Sequence, residues 1–140
     1  MSKRIRVNHR IARQLGEHER SKRLFAELLD QHAVCFPKKG DTLDVPTKHG
    51  VYIIFDKAGR VLHVGRTYRA RCGLLQRLNG HLNGQSSFVG TFLRQNKGRL
   101  RKGYNYKYLV VGHNRRRALL EHYAIGVLCP AHLGVGESIE

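Results

Sequence analysis

Gly50-Val51-Tyr52-Ile53-Ile54-Phe55, then Asp56-Lys57-Ala58-Gly59, then Arg60-Val61-Leu62-His63-Val64-Gly65 is the stretch whose reading decides the fold. Two β-branched and aromatic runs around a polar, glycine-containing turn predict a β-hairpin. Whether the turn takes two residues (Lys57, Ala58) or four (Asp56 to Gly59), the expected register sets Tyr52 directly opposite His63. A phenol and an imidazole then stand side by side on one face of the sheet. An odd-length turn would slip that register and separate them.

Outward from the hairpin, Arg66-Thr67-Tyr68-Arg69-Ala70-Arg71 is a basic loop. A helix is expected from Gly73 to Asn83, with Leu75, Leu78 and Leu82 as its core stripe and Arg77 and His81, one turn apart, beside that stripe. A short helix is expected over Phe88 to Gln95. The alternating, β-rich run from Tyr104 to Val111 predicts a third strand whose Tyr104, Tyr106 and Tyr108 share a face for cross-strand packing. Asn114 is placed to cap a final helix from Arg115 to Leu128, which Pro130 ends. Leu120, Tyr123, Ala124 and Val127 form its apolar stripe, and Glu121 lies about 100° away at the edge of the core. Upstream, Leu24, Phe25, Leu28 and Leu29 recur at helical spacing within a helix expected from Glu17 to Val34. Pro37, Gly40 and Pro46 then break the periodicity. The expected class is α/β (α+β): a small, mainly antiparallel three-stranded sheet flanked by helices. Residues 1–45 read as a helical arm and linker, and 46–140 as the principal domain.

Charge narrows the function. The chain has 140 residues, 26 Lys and Arg against 10 Asp and Glu, and a formal net charge of +16. Such an excess favours a polyanionic partner, because each neutralised phosphate releases condensed counterions. No segment joins a basic face to a long, wide apolar one, which argues against a membrane-surface role. The N-terminal run lacks the apolar core of a signal peptide, so a cytoplasmic protein, nucleoid-associated when bound to DNA, is expected. Cys35, Cys72 and Cys129 form no Cys-x-x-Cys pair and read as reduced, mostly buried side chains. Between Lys57 and Gly136 stand fifteen Lys and Arg but a single carboxylate, Glu121. A divalent cation held in that region by a carboxylate must be held there. Arg115, Arg116 and Arg117 open the last helix, where the macrodipole disfavours cations. Phosphate contact and a solvated basic face both account for them.

Taken together, Gly50-Val51-Tyr52, the short hairpin and His63-Val64-Gly65 resemble the paired motif of the GIY-YIG nuclease superfamily. Arg77 with His81 is similar to that family's catalytic arginine and to a histidine of its restriction-type members, and Glu121 to its metal-binding glutamate. The likeness covers about residues 49–134 and departs from the pattern in two places: His63 stands where most members have tyrosine, and Ala131-His132-Leu133 follows Pro130 where an asparagine is usual. It implies a metal-dependent endonuclease. In that reading Tyr52 orients or deprotonates the attacking water, and His63, hydrogen-bonded beside it, accepts the proton. Arg77 neutralises charge on the phosphorane, and Glu121 holds Mg²⁺ or Mn²⁺. His81 binds the phosphate or assists proton transfer, and Arg66, Arg69, Arg71, Arg115, Arg116 and Arg117 contact nucleic acid. DNA ranks ahead of RNA as the substrate, and a homodimer is left open. A non-catalytic nucleic-acid-binding protein on a degenerate nuclease fold, and an RNA-associated protein, stand as the alternatives.

Overall fold

Strand β2 (Gly50–Phe55) sits inside the sheet, and its side chains alternate between two cores. Val51 and Ile53 point to one face and pack with Phe25, Leu28, Leu120 and Ala124; Tyr52 and Ile54 point to the other and pack with Leu74, Leu78, Phe88 and Tyr106. A strand buried on both faces needs the near-continuous apolar run that 51–55 supplies. The computed structural model describes residues 3–68, 73–94 and 96–133. Around β2 the chain runs α1 (Lys3–Asp30), β1 (Val34–Cys35), β3 (Val61–Arg66), α2 (Gly73–Leu82), a π-helical turn (Phe88–Phe92), a 3-10 turn (Lys97–Arg99), β4 (Asn105–Val110) and α3 (Asn114–Leu128). The sheet order is β1-β4-β2-β3, antiparallel at each pairing. Helices α1 and α3 cover one face, and α2 with the turns after it covers the other.

The expected class, helices flanking a small antiparallel sheet, is the one that forms. It has four strands rather than three, because Val34 and Cys35 pair with Tyr106 and Asn105 at the edge of β4. Helix α1 is longer than the apolar periodicity implies: it begins at Lys3, passes through Gly16 and ends at Asp30. A lone helical glycine costs only about 1 kcal/mol against alanine, too little to stop a helix anchored downstream. On α3 the cap is His113, whose side chain accepts from the Arg116 N–H, rather than Asn114, which is itself the first helical residue. Val127 is exposed, and Arg117 takes a buried place on the helix instead. Cys35 and Cys129 are exposed free thiols, contrary to the burial expected of them; Cys72, Arg69 and Arg71 lie outside the described residues. Among the described residues no helix is long and apolar enough to cross a membrane.

The hairpin register differs from the expected one, and the difference is instructive. Asp56 N–H donates to Arg60 O, and Gly59, at φ +87°, donates its N–H to Asp56 O, so the loop holds three residues, an odd number. Asp56 Oδ1 fixes it by accepting from the N–H groups of Ala58 and Arg60. Phe55 therefore pairs with Val61, but Ile54 pairs with His63, which leaves Leu62 as a one-residue bulge. The bulge adds a second odd step and restores the faces. Tyr52 lies opposite Gly65, not His63, yet both rings stay on one side, their centroids 5.9 Å apart along the diagonal. The Val61 and Leu62 carbonyls accept from Ala131 and His132 N–H, so the segment after α3 docks on the bulged strand and brings His132 to His63.

Gly65 has a steric task. The Tyr52 ring lies across it, and a Cβ there would overlap the tyrosine's Oη and Cζ. Gly50 likewise lies against the Leu109 carbonyl, where a Cβ would collide with backbone. Gly65→Ala should destabilise the protein by about 1–3 kcal/mol, the usual cost of overpacking, as read from the urea midpoint. An unchanged midpoint would show that the ring does not rest on that glycine.

Candidate functional site

Four elements deliver side chains to one end of the sheet. β2 supplies Tyr52, whose hydroxyl accepts from Arg77 Nε–H at 3.1 Å and lies 2.6 Å from His81 Nε2. Both partners come from α2, one turn apart, so the helix face foreseen from their spacing is the face that meets the phenol. His81 Nδ1 lies 2.7 Å from Ser86 Oγ, and Ser86 Oγ accepts from the Val89 N–H. Two proton arrangements satisfy this chain. In one, Tyr52 O–H donates to His81 Nε2 and His81 Nδ1–H donates to Ser86. In the other, Ser86 donates to Nδ1, and Nε2–H and Arg77 both donate to Tyr52 Oη. The second is the arrangement that would hold a phenolate.

The neighbour of the Tyr52 hydroxyl is thus His81, not His63. His63 turns its Nδ1 to His132 Nδ1 at 3.0 Å and stacks on Phe88, their centroids 4.9 Å apart. Its Nε2 is buried with no hydrogen-bond partner. Burial, then the nearby His132 and Arg77 charges, push His63 down to about 3, so at neutral pH it is uncharged. His81 is also held well below the ordinary histidine range, chiefly by burial. Tyr52 is wholly buried, which pushes its hydroxyl above the usual phenol range against the opposing pull of Arg77. The resting site holds a neutral phenol beside neutral imidazoles.

Glu121 comes from α3 and Arg66 from the end of β3; Arg66 Nη1 and Glu121 Oε1 are 2.9 Å apart. Burial raises Glu121 above the usual carboxylate range, opposed by the charges of Arg66, His122 and Arg77. Glu121 in turn acts on Tyr52 across the intervening space, so phenol, guanidinium and acid feel one another's charge. Arg66 was expected to meet phosphate and is committed here to the acid; its guanidinium also lies 5.1 Å from the Tyr68 ring centroid. Beside this group opens a cleft of ≈ 340 Å³ lined by Arg77, Thr67, Tyr68, Gly73, Gln76, Gly80 and Gln85.

Of the remaining arginines, Arg115 and Arg116 are exposed, but Arg117 is not. Arg117 Nε–H donates to Thr67 O, Nη1 to Val111 O and Gly112 O, and Nη2 to Asn114 Oδ1. Its guanidinium ties the end of β3 to the start of α3, so the expectation of a nucleic-acid contact is corrected to an internal strut. This also places one of the three N-terminal arginines off the helix surface. Arg115 is partnered too, gripping Glu17 of α1 through Nε at 2.7 Å and Nη2 at 3.2 Å.

Ser86, His132 and Thr67 carry no sequence signal for the contacts they make at the site. Ser86 precedes an apolar turn, and nothing in the sequence announces its bond to His81. Thr67 Oγ1 accepts from the Gly50 N–H and meets His49 Nδ1 at 2.8 Å, locking the motif's first glycine to the end of β3.

Among the described residues no group of three or more His, Cys, Asp or Glu is gathered as a metal cage. The acid of this group is Glu121, with its Oε1 engaged by Arg66, so a hard divalent cation here would have to draw most of its ligands from water and phosphate oxygens.

Replacing Arg117 with Met should cost about 2–4 kcal/mol in urea unfolding, because three carbonyls lose their donors. Arg116→Gln, on the exposed side of the same turn, should stay within about 0.5 kcal/mol. Acid should also unfold the protein early. His63 and His81 are depressed in the folded state, so the unfolded chain binds more protons once pH drops below about 6.5, and stability is lost from there toward pH 3. His63→Phe should flatten that limb of a stability–pH curve; an unaltered limb would mean the imidazole does not titrate this way. No protein-family model matches the chain, and none of the curated proteins does.

Proposed function

We propose that the protein is a metal-dependent endonuclease that hydrolyses phosphodiester bonds, with DNA the favoured substrate. One observation carries this reading: Arg77, Tyr52 and His81 meet at a single hydroxyl, within electrostatic reach of the one acid of a strongly basic region. The motif order and the net charge of +16 support it.

In this mechanism a backbone phosphate enters the cleft and draws the Arg77 guanidinium from the phenol toward its own oxygens. That uncovers Tyr52 Oη, which is otherwise sealed. Tyr52 takes a proton from the attacking water and passes its own to His81 Nε2, while His81 Nδ1–H is held by Ser86 Oγ. The phenol's raised pKa makes it a relay rather than a resting base, and the proton ends on the imidazole. Arg77 offsets the negative charge that grows on the phosphorane oxygens. Mg²⁺ or Mn²⁺, held by Glu121, would supply Lewis-acid charge at the leaving oxygen. Arg66 competes for the same carboxylate, so the ion should bind weakly until phosphate draws Arg66 away.

A second reading, a binding protein without catalysis, is favoured by two specific facts: Tyr52 has no exposed surface, and Glu121 Oε1 is taken by Arg66. The two readings part on mutation. In assays of supercoiled plasmid, linear duplex and structured RNA with Mg²⁺ or Mn²⁺, Glu121→Ala and Arg77→Ala should abolish cleavage, while Glu121→Ala should still bind. His81→Phe should lower the rate about 10²–10⁴-fold, the range for loss of a general acid or base. His63→Phe should cut near the wild-type rate, since His63 does not touch the Tyr52 hydroxyl. Wild-type protein that binds duplex and cuts none of these substrates would establish the second reading.

A further inference from the structure

Helix α1 has two unlike halves. From Glu17 onward it is docked: Glu17 is gripped by Arg115, Ser21 is buried, Phe25 and Leu28 enter the core, and the Tyr123 ring packs edge-on against His18 and Phe25. Before Glu17, residues 9–16 are all exposed. Glu17 is also the first acid in the chain, so residues 1–16 hold Lys3, Arg4, Arg6, Arg10 and Arg13 with nothing to offset them.

Such a segment is unusual on physical grounds. A free helix of this length is marginal in water, and this one has no i,i+4 ion pair and places cations at its own N-terminus. Four of the five cations share a side, Arg4 standing off it. Positions 3, 6, 10 and 13 recur at the three-and-four spacing of one helix side, and residues 17, 21, 24 and 28 continue that side onto the body. The basic side therefore extends the face that packs on α3, past the helix start where Arg116 is exposed.

We infer that the first half of α1 is a clamp that lays this basic side along the phosphate backbone of a duplex bound against the α3 end of the body. The inference rests on the nucleic-acid reading proposed above and adds where, and by what, the duplex is held. About 14 residues of helix span about 20 Å, enough to follow several successive phosphates. A second copy of the chain is a poor occupant, because it would set two equally cationic helices against each other. Anionic lipid is the other polyanionic surface, but by position the large apolar residues on the opposite side of this half are Ile5, Ile11 and Leu15, of which Ile11 is 46% and Leu15 57% accessible. That is little to bury in a bilayer.

The test is duplex binding by the full chain from 50 to 300 mM salt, comparing wild type with the variant Lys3→Gln, Arg6→Gln, Arg10→Gln and Arg13→Gln. Each lost phosphate contact should flatten the log–log salt dependence by about 0.9, so loss of all four should lower the variant's slope by about 3.6. Plasmid cleavage at low salt should persist, since none of the four residues belongs to the site. Circular dichroism and the urea midpoint should show the folded body unchanged. Parallel slopes in two otherwise active proteins would overturn the clamp alone. Wild type that binds no duplex would overturn both the clamp and the function it rests on. A variant that keeps the duplex slope but loses binding to vesicles with anionic lipid would move the helix to a membrane.

Discussion

The Tyr52 hydroxyl is where the sheet and α2 are joined by something more directional than packing. Its ring can lie flat only because Gly65 has no side chain, and its oxygen then meets Arg77 and His81 from a single helical turn. That contact sets the rotation of α2 against the sheet, since two groups one turn apart reach one atom in only a narrow range of helix orientations. Leu74, Leu78 and Leu82 follow from the same rotation, and so does the cleft that opens beside Arg77. Burial then makes the hydroxyl a poor acid and the imidazole a poor base, so the pair rests without charge.

On the opposite layer a buried cation does comparable work. Arg117 joins β3, the β4–α3 connection and the first turn of α3 through four acceptors. Three adjacent arginines that look alike in sequence divide into three roles: Arg115 grips α1, Arg116 faces solvent, and Arg117 braces the interior. The macrodipole penalty that makes the run look odd is answered for Arg117 by backbone carbonyls and for Arg115 by Glu17, without a phosphate.

Much of the architecture was legible because it rests on period and punctuation. The hairpin, α2, β4 and α3 follow from alternation, helical spacing and Pro130, and Arg77 with His81 on one helical face was read from a spacing of four. β1 was not legible, since two residues carry no periodicity; nor was the N-terminal half of α1, whose residues 9–16 are all exposed. The partners of the site were hidden for another reason. That His81 and not His63 meets Tyr52 depends on a bulge, and a bulge depends on backbone geometry beyond the turn residues. Likewise, Glu121 with Arg66 and His63 with His132 are long-range pairs that no local pattern announces.

The odd loop and the single bulge carry a consequence for how this hairpin can vary. Each alone would turn His63 toward the helices α1 and α3; present together they keep it beside Tyr52 and Phe88. Length changes between β2 and β3 are therefore governed by parity. Two residues can be added at Ala58 without disturbing the aromatic cluster, whereas one can be added only if Leu62 gives up its place as the unpaired residue.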